Sequence, residues 1–158
     1  MASSLHPCLW FDTQAEEAAR FYVGVFGAEA SLGPIVRTPP ISPSPPGVMT
    51  VSFTLRGLDF LALNGGPVFT HSPAISMVAH ASDQAELDRL WDALLEGGGR
   101  PSQCGWLTDR FGVSWQVVPA DIGEMMTGDP RKAEAVMGVV MGMVKLDIAA
   151  MRAAYEAA

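Results

Sequence analysis

Two stretches decide the fold, "CLWFDTQAEEAARFYVGVFGAEAS" at residues 8–31 and "ISMVAHASDQAELDRLWDALLEGGGRPS" at residues 75–102. Each is typical of a short apolar strand, a polar start signal and then a helix. Thr13-x-x-Glu16 and Asp83-x-x-Glu86 have the spacing of capping boxes, in which the first side chain accepts a hydrogen bond from a free amide and the glutamate bonds back. The boxes are 83 − 13 = 70 residues apart, and we therefore predict two copies of one module.

Both predicted helices carry one apolar face with the spacing i, i+3, i+4, i+7, i+8. In the first helix this face consists of Ala18, Phe21, Tyr22, Val25 and Phe26. In the second it consists of Leu87, Leu90, Trp91, Leu94 and Leu95. Gly27 and the run Gly97–Gly99 follow these faces, as expected of glycines that end helices.

Further strands are predicted after each helix, from apolar alternation and turn residues. After the first helix they are Ala30–Val36, Val48–Leu55 and Leu58–Leu63, and after the second they are Gln103–Asp109 and Val113–Pro119. The order β-α-β-β-β therefore occurs twice in an α+β fold, with the second copy shorter. We expect a single domain over residues 1–158, with modules at 6–66 and 74–119 that bury a shared face.

Residues 129–158 are predicted to form a C-terminal helical tail that begins at Asp129-Pro130, since proline is favoured at the first helical position. Its apolar stripe is expected to pack on a sheet or on a second subunit, and comprises Met137, Met141, Val144, Ile148 and Met151. The segment Thr38–Gly47 holds five prolines in ten residues, which predicts a loop. A polyproline partner motif is the alternative for that segment.

The bulk composition excludes several classes of protein. The net charge of −7 and the lack of a basic stripe argue against nucleic-acid binding. No apolar run reaches the roughly 18 residues of a membrane span, and the first residues lack the pattern of a secretory signal. Cys8 and Cys104 form no disulfide framework and are expected to be small buried residues. These features favour a cytoplasmic location.

Four segments together resemble one known family. They are "LWFDTQAEEAARFYVGVFG", "FLALNGGP", "CGWLTDRFGVSWQVVP" and "AEAVMGVVMGMVKLDIAAMRAAY", and they cover most of the chain in order. The chain resembles the PhnB-like group, also labelled 3-demethylubiquinone-9 3-methyltransferase domain, of the vicinal oxygen chelate superfamily. That superfamily includes glyoxalase I, bleomycin-resistance proteins and extradiol dioxygenases. The resemblance implies paired βαβββ modules of the glyoxalase/bleomycin-resistance type that enclose a ligand cavity, usually in a homodimer.

The resemblance also implies strand positions at which active relatives bind a divalent metal through His and Glu. The matching residues here are His6, then Ser76 at the 70-residue offset, then Leu61 or Ala62, and finally Gln116 in place of the ligand Glu. One imidazole with neutral oxygens is a weak site for a dication, and His6 is the only candidate ligand. We therefore expect no cofactor, and a divalent metal held in an atypical way is the alternative.

The predicted ligand pocket consists of His6, Trp10, Ser76 and Gln116. Trp10 is included because period two along the strand puts it on the same face as His6. Gln116 can donate and accept hydrogen bonds but supplies no charge. This aromatic wall with few polar groups suits a small, partly apolar ligand, although the same side chains could simply fill the interior.

The other chemically capable residues have ordinary structural interpretations. His80 is predicted to be exposed at a strand end, and His71 lies in the segment that joins the modules. Asp12 and Asp109 are expected to form turns, and Arg110 is expected to be a solvated residue beside one of them. The sequence holds no Gly-x-Ser-x-Gly elbow.

Four functions are compatible with these observations. The favoured one is a dimeric cavity protein that binds a small organic molecule without a tight metal. The second is a metal-dependent lyase, isomerase or dioxygenase of the same superfamily, and the third is a regulatory dimer without a pocket. The fourth is the methyltransferase of the family label, which we disfavour because "EGGGRP" follows a helix instead of opening one, as a dinucleotide-type glycine turn would.

Overall fold

The structure is a computed structural model, and it describes residues 5–41 and 46–158. The chain divides into two compact units, residues 1–71 and 72–158. Each unit contains a four-stranded mixed sheet with a helix packed on one face. Part of the predicted loop Thr38–Gly47, residues 42–45, lies outside the described residues.

The first unit has the order β-α-β-β-β. Strand β1 spans Cys8–Phe11 and helix α1 spans Ala15–Phe26. The remaining strands are β2 (Ala30–Arg37), β3 (Val48–Leu55) and β4 (Leu58–Asn64), joined in the sheet as β1-β4-β3-β2. The β1–β4 pair is parallel and the other two pairs are antiparallel.

The core of the first unit lies between α1 and its sheet. The predicted helix face is buried except for the half-buried Phe21. Phe53 stacks between Tyr22 and Phe60, with ring centroids 5.9 and 5.1 Å away. Because side chains alternate along a strand, the residues of the opposite, helix-free face include His6, Cys8, Ser52 and Leu61.

The start of α1 differs from the prediction. Thr13 is not the N-cap; Gln14 holds that position and makes no side-chain cap. Instead, Asn64 Oδ1 at the end of β4 accepts a hydrogen bond from the Ala15 amide at 2.7 Å. Glu16 binds Arg20 at 2.7 Å, so the predicted capping box at Thr13 is wrong because an oxygen from a distant strand replaces it.

The second unit opens with the same order and adds three helices. Strand β5 spans Ser76–Ala81, helix α2 spans Gln84–Leu95, and β6 (Arg100–Pro101), β7 (Trp106–Thr108) and β8 (Ser114–Pro119) follow. The strands are joined as β5-β8-β7-β6. The last helices are α3 (Ile122–Thr127), α4 (Pro130–Val140) and α5 (Ile148–Ala157).

Helix α2 begins as predicted. Asp83 Oδ1 accepts from the Glu86 amide at 2.9 Å, and the Glu86 carboxylate accepts from the Ser82 amide at 2.7 Å. The predicted apolar face is buried except for the half-buried Leu95. Gly97 and Gly98 end the helix with positive φ of 77° and 116°, a conformation that glycine adopts at little cost.

The predicted C-terminal helical tail consists of two helices, because the chain leaves the helix between α4 and α5. The carbonyls of Met143 and Val144 accept hydrogen bonds from the amides of Cys104 and Gly105, both at 2.8 Å. Leu146 is buried beside Gly105. The apolar stripe divides accordingly: Ile148 and Met151 are buried, whereas the α4 side is exposed at Met137, Met141 and Val144.

The cysteines also differ from the prediction. Cys8 is exposed and Cys104 is half-buried, and both are free thiols. Cys8 lies on the helix-free face of β1, whereas its neighbour Leu9 is buried. Partial desolvation of its sulfur nevertheless raises the pKa of the Cys8 thiol. Cys104 lies in a turn with a positive φ of 58°.

Candidate ligand-binding surface

A row of neutral polar side chains crosses the helix-free face of the second sheet. In β8, Trp115 and Val117 are buried on the helix side, so Ser114 and Gln116 belong to the opposite face. Gln116 Nε2 donates to Ser76 Oγ at 2.9 Å, across the parallel β5–β8 pair. These two predicted site residues are therefore in direct contact.

Ser114 extends this row and was missed by the sequence analysis. It pairs with Ser76 on one side and with Thr108 on the other. Its side chain is buried, at 2% exposure, yet Oγ has no hydrogen-bond partner among the described residues. A buried hydroxyl without a partner costs roughly 1–3 kcal/mol, and a polar ligand group or a water would remove this cost. The alternation that selects Gln116 also selects Ser114, so the signal was present in the sequence.

The buried carboxylate of Asp109 stabilises the turn that precedes β8 by accepting three hydrogen bonds. Asp109 is 3% exposed, and its Oδ1 accepts from the amides of Phe111 at 2.8 Å and Val113 at 3.0 Å. Its Oδ2 accepts from Trp115 Nε1 at 2.8 Å. The prediction that Asp109 forms the turn is confirmed, and its side chain also fixes the indole under the polar row.

His6 lies in the first unit, just before β1, and is exposed. It lines a cavity of about 350 Å³ together with Ser52, Thr54 and Asp59, among others. Thr54 Oγ1 donates to Asp59 Oδ1 at 2.8 Å. The cavity also touches Gly33–Pro34, where the β2–β3 register shifts between Leu32 and Ile35. Bulges of this kind often occur next to functional sites.

Trp10 also lies in the first unit, but it does not contact that cavity. Its Nε1 donates to the Gly66 carbonyl at 2.8 Å, and its ring meets Phe69 edge to face at 5.1 Å. The ring also covers Gly65, where an added Cβ would lie 2.2 Å from the indole. The participation of Trp10 and His6 in one pocket with Ser76 and Gln116 stays a prediction.

The donor set does not fit a tightly held divalent ion. No group of three His, Cys, Asp or Glu side chains that could hold a metal occurs within residues 5–41 and 46–158. Gln116 uses its amide nitrogen on Ser76, and Leu61 and Ala62 offer only hydrocarbon. His80 lies exposed in β5. Ser76, Gln116, Leu61 and Ala62 therefore supply no charged ligand to a divalent ion.

The glycine run does not fit a nucleotide-type methyl-donor site. Gly97–Gly99 follows α2 and leads into β6 at Arg100. In the doubly wound folds that bind such cofactors, the glycines follow a strand and open a helix. Here the glycines end a helix and precede a strand, which is the opposite order.

The family profile of 3-demethylubiquinone-9 3-methyltransferase matches residues 3–118. The chain belongs to this family. The predicted membership of the PhnB-like group in the vicinal oxygen chelate superfamily is thereby confirmed. The match ends before α3, so the three C-terminal helices lie beyond it. No curated protein matches the chain significantly.

Several solved structures are similar to this chain. The PhnB protein of Bacillus cereus is 29% identical, covers 75% of this chain and 100% of its own, and has a TM-score of 0.67. A protein of Pseudomonas aeruginosa is 24% identical, with 75% and 98% coverage and a TM-score of 0.60. The fosfomycin resistance protein FosX of Listeria monocytogenes, solved with Mn(II) and sulfate, is 11% identical, with 84% and 95% coverage and a TM-score of 0.52.

The last two structures are similar in fold alone. The predicted α+β fold of the glyoxalase/bleomycin-resistance type, with helix at the C-terminus, is confirmed. None of the helices within the described residues has the length and apolarity to cross a membrane.

Proposed function

We propose that this protein binds a small organic molecule on the polar row Ser76–Gln116–Ser114, without a tightly held metal. The observation that carries the proposal is the buried Ser114 hydroxyl, which has no hydrogen-bond partner in the part of the chain that the structure describes. A ligand hydroxyl or carbonyl would satisfy it, and the Gln116 amide oxygen provides a further acceptor beside it. Such neutral contacts favour an uncharged or weakly polar ligand.

We further propose that His6 and Trp10 complete the pocket in a cytoplasmic homodimer. The imidazole of His6 makes no hydrogen bond to a described residue and lines a cavity. The exposed apolar side chains of α4 and the following turn, Met137, Met141 and Val144, offer a surface for a second subunit. Two free thiols agree with a reducing compartment.

The first experiment compares the wild type with Ser114→Ala. Native mass spectrometry of protein purified without chelators would identify co-purified small molecules, and calorimetry would measure their affinity. We expect Ser114→Ala to weaken ligand binding about tenfold, while the ligand-free stability stays unchanged or rises, because the substitution removes an unsatisfied group. Ser102→Ala, at an exposed serine of the same unit, is the control. Equal ligand affinity in all three proteins would refute the role of the row.

The second experiment tests the metal. Gln116→Glu is nearly isosteric and restores the carboxylate that the family resemblance implies at this position. We expect the wild type to retain substoichiometric zinc, manganese, iron or nickel in elemental analysis, and Gln116→Glu to retain more. Stoichiometric metal in the wild type that is lost in His6→Ala would instead establish the metal-dependent enzyme.

A further inference from the structure

A second cavity of the first unit lies at the edge of its sheet where β1 and β4 end and β3 begins. Its volume is about 470 Å³, within the size range of small-molecule sites. The lining contains none of His6, Ser76, Ser114 or Gln116. This cavity is therefore independent of the polar row.

Asn64 holds three walls of this edge cavity in place. Its Oδ1 accepts from the Ala15 amide at the start of α1, and its Nδ2 donates to the Val48 carbonyl at 2.9 Å. The next amides continue the connection, since Gly65 and Gly66 donate to the carbonyls of Phe11 and Asp12 at 2.9 and 3.2 Å. The helix start, the β3 start and the turn after β4 are thus fixed relative to one another.

Trp10 supports the third of these walls, the turn after β4. Its indole hydrogen bond to the Gly66 carbonyl and its contact with Gly65 leave that turn no room to shift toward the sheet. A site whose walls are already positioned pays less ordering entropy when a ligand binds. The edge cavity therefore has the preorganisation expected of a binding site.

The lining has a distinctive chemistry. Asp12, Thr13 and Thr38 line the cavity, and none of their side chains makes a hydrogen bond or ion pair with a described residue. Its apolar wall consists of Pro46, Val48, Met49 and Pro67. No Lys, Arg or His is among the described lining residues. Among the described lining residues, one carboxylate without a paired cation and two hydroxyls thus lie beside a hydrocarbon surface.

The carboxylate of Asp12 is not needed to balance the positive end of α1. Glu16 and Glu17 already lie in the first turn of that helix, where negative charge offsets the helix dipole. Glu16 is itself paired with Arg20. The charge of Asp12 is thus available to a ligand.

We propose that the edge cavity binds a primary ammonium group carried on a short hydrocarbon chain. A primary ammonium has three N–H donors and no acceptor, which matches one carboxylate and two hydroxyls. The chain of such an amine would lie against Val48, Met49 and the two prolines. An anion is excluded by Asp12, and a neutral alcohol would leave the carboxylate without a counter-charge.

The test is a titration of the full-length, ¹⁵N-labelled protein with n-hexylammonium chloride, followed by NMR. We expect saturable shifts of amides around the cavity, notably Thr13, Thr38, Val48 and Gly66. Hexanoate should produce none, and 1-hexanol should bind at least fivefold more weakly. Equal affinity for the alcohol and the ammonium, shifts confined to other regions, or no saturable shift up to about 50 mM would each overturn the proposal.

Two variants that each remove one negative charge distinguish direct binding of the ammonium by Asp12 from non-specific attraction to the negatively charged protein. Asp12→Asn keeps the shape of the side chain and should weaken hexylammonium binding about tenfold, as expected for loss of a charge-assisted hydrogen bond. Glu17→Gln removes an equal charge from an exposed residue outside the lining and should change the affinity less than twofold. Equal losses in both variants would show non-specific attraction and refute the site.

Discussion

Replacing Asp109 by Asn should destabilise the second unit, because it puts a hydrogen-bond donor where the Trp115 indole needs an acceptor. The carboxylate is buried and accepts hydrogen bonds from the Phe111 and Val113 amides and from the Trp115 indole. An Asn side chain retains one oxygen, which can still serve the two amides. Its NH₂ group then faces the Trp115 N–H, so two buried donors oppose each other.

The expected cost follows from these contacts. A buried donor left without an acceptor costs roughly 1–3 kcal/mol, and a bond to a charged acceptor contributes about 1.5–3 kcal/mol. We expect Asp109→Asn to lower the free energy of unfolding by about 3 kcal/mol. Trp115→Phe removes the indole donor and part of the buried ring, and should cost about 2 kcal/mol.

The double variant makes the prediction specific. In Asp109→Asn/Trp115→Phe the opposed indole donor is gone. The double variant should therefore lose about 1 kcal/mol less free energy of unfolding than the sum of the two single losses. Urea unfolding followed by far-UV circular dichroism gives the four free energies without depending on the tryptophan signal. Asp92→Asn, at an exposed position in α2, should stay within about 0.5 kcal/mol of the wild type. Strict additivity, or a cost of Asp109→Asn below about 1 kcal/mol, would refute this account of the hairpin.

Two further predictions concern packing and charge. Gly65→Ala should destabilise the first unit by about 2–3 kcal/mol in the same urea assay, because its Cβ would overlap the Trp10 ring. Gly24→Ala is the control in α1, where the Cβ position is open space. It should stabilise the unit by about 0.5–1 kcal/mol. The hydrogen bond from Lys145, 2.7 Å away, lowers the pKa of the Asp88 carboxyl and raises the pKa of the lysine. The pair should therefore stabilise the fold at pH values above the ordinary carboxyl pKa. This contribution should be lost as the pH falls through the lowered pKa of Asp88. An NMR titration of Lys145→Met should return the pKa of Asp88 toward its ordinary range, and an unchanged value would contradict the pairing.

The elements that depend on local pattern could be predicted from the sequence. Strand β3 has the predicted bounds Val48–Leu55, because its alternation and the Arg56-Gly57 turn are both local signals. Likewise, α2 begins at its predicted cap, because Asp83 and Glu86 are three residues apart. The contact between Ser76 and Gln116 spans 40 residues, yet the sequence pointed to both residues, to Ser76 through the offset between the two copies and to Gln116 through the family resemblance.

The features that the sequence did not predict depend on contacts between distant parts of the chain. The cap of α1 comes from Asn64, 49 residues away from Ala15, and nothing near Thr13 signals this. The C-terminal helix is interrupted because the amides at 104 and 105 bind carbonyls at 143 and 144, which a helical periodicity in the tail cannot reveal. The edge cavity around Asp12 was missed for the same reason, since its walls come from four separate segments.

The contact between Trp10 and Gly65 has a consequence for how this sequence can evolve. With the indole 2.2 Å from the position of any Cβ at residue 65, a larger residue there becomes tolerable only after the tryptophan has been replaced by something smaller. Positions 10 and 65 should therefore covary across related sequences, with glycine kept wherever tryptophan is kept. That pair is a compact marker for recognising which homologues share this form of the turn.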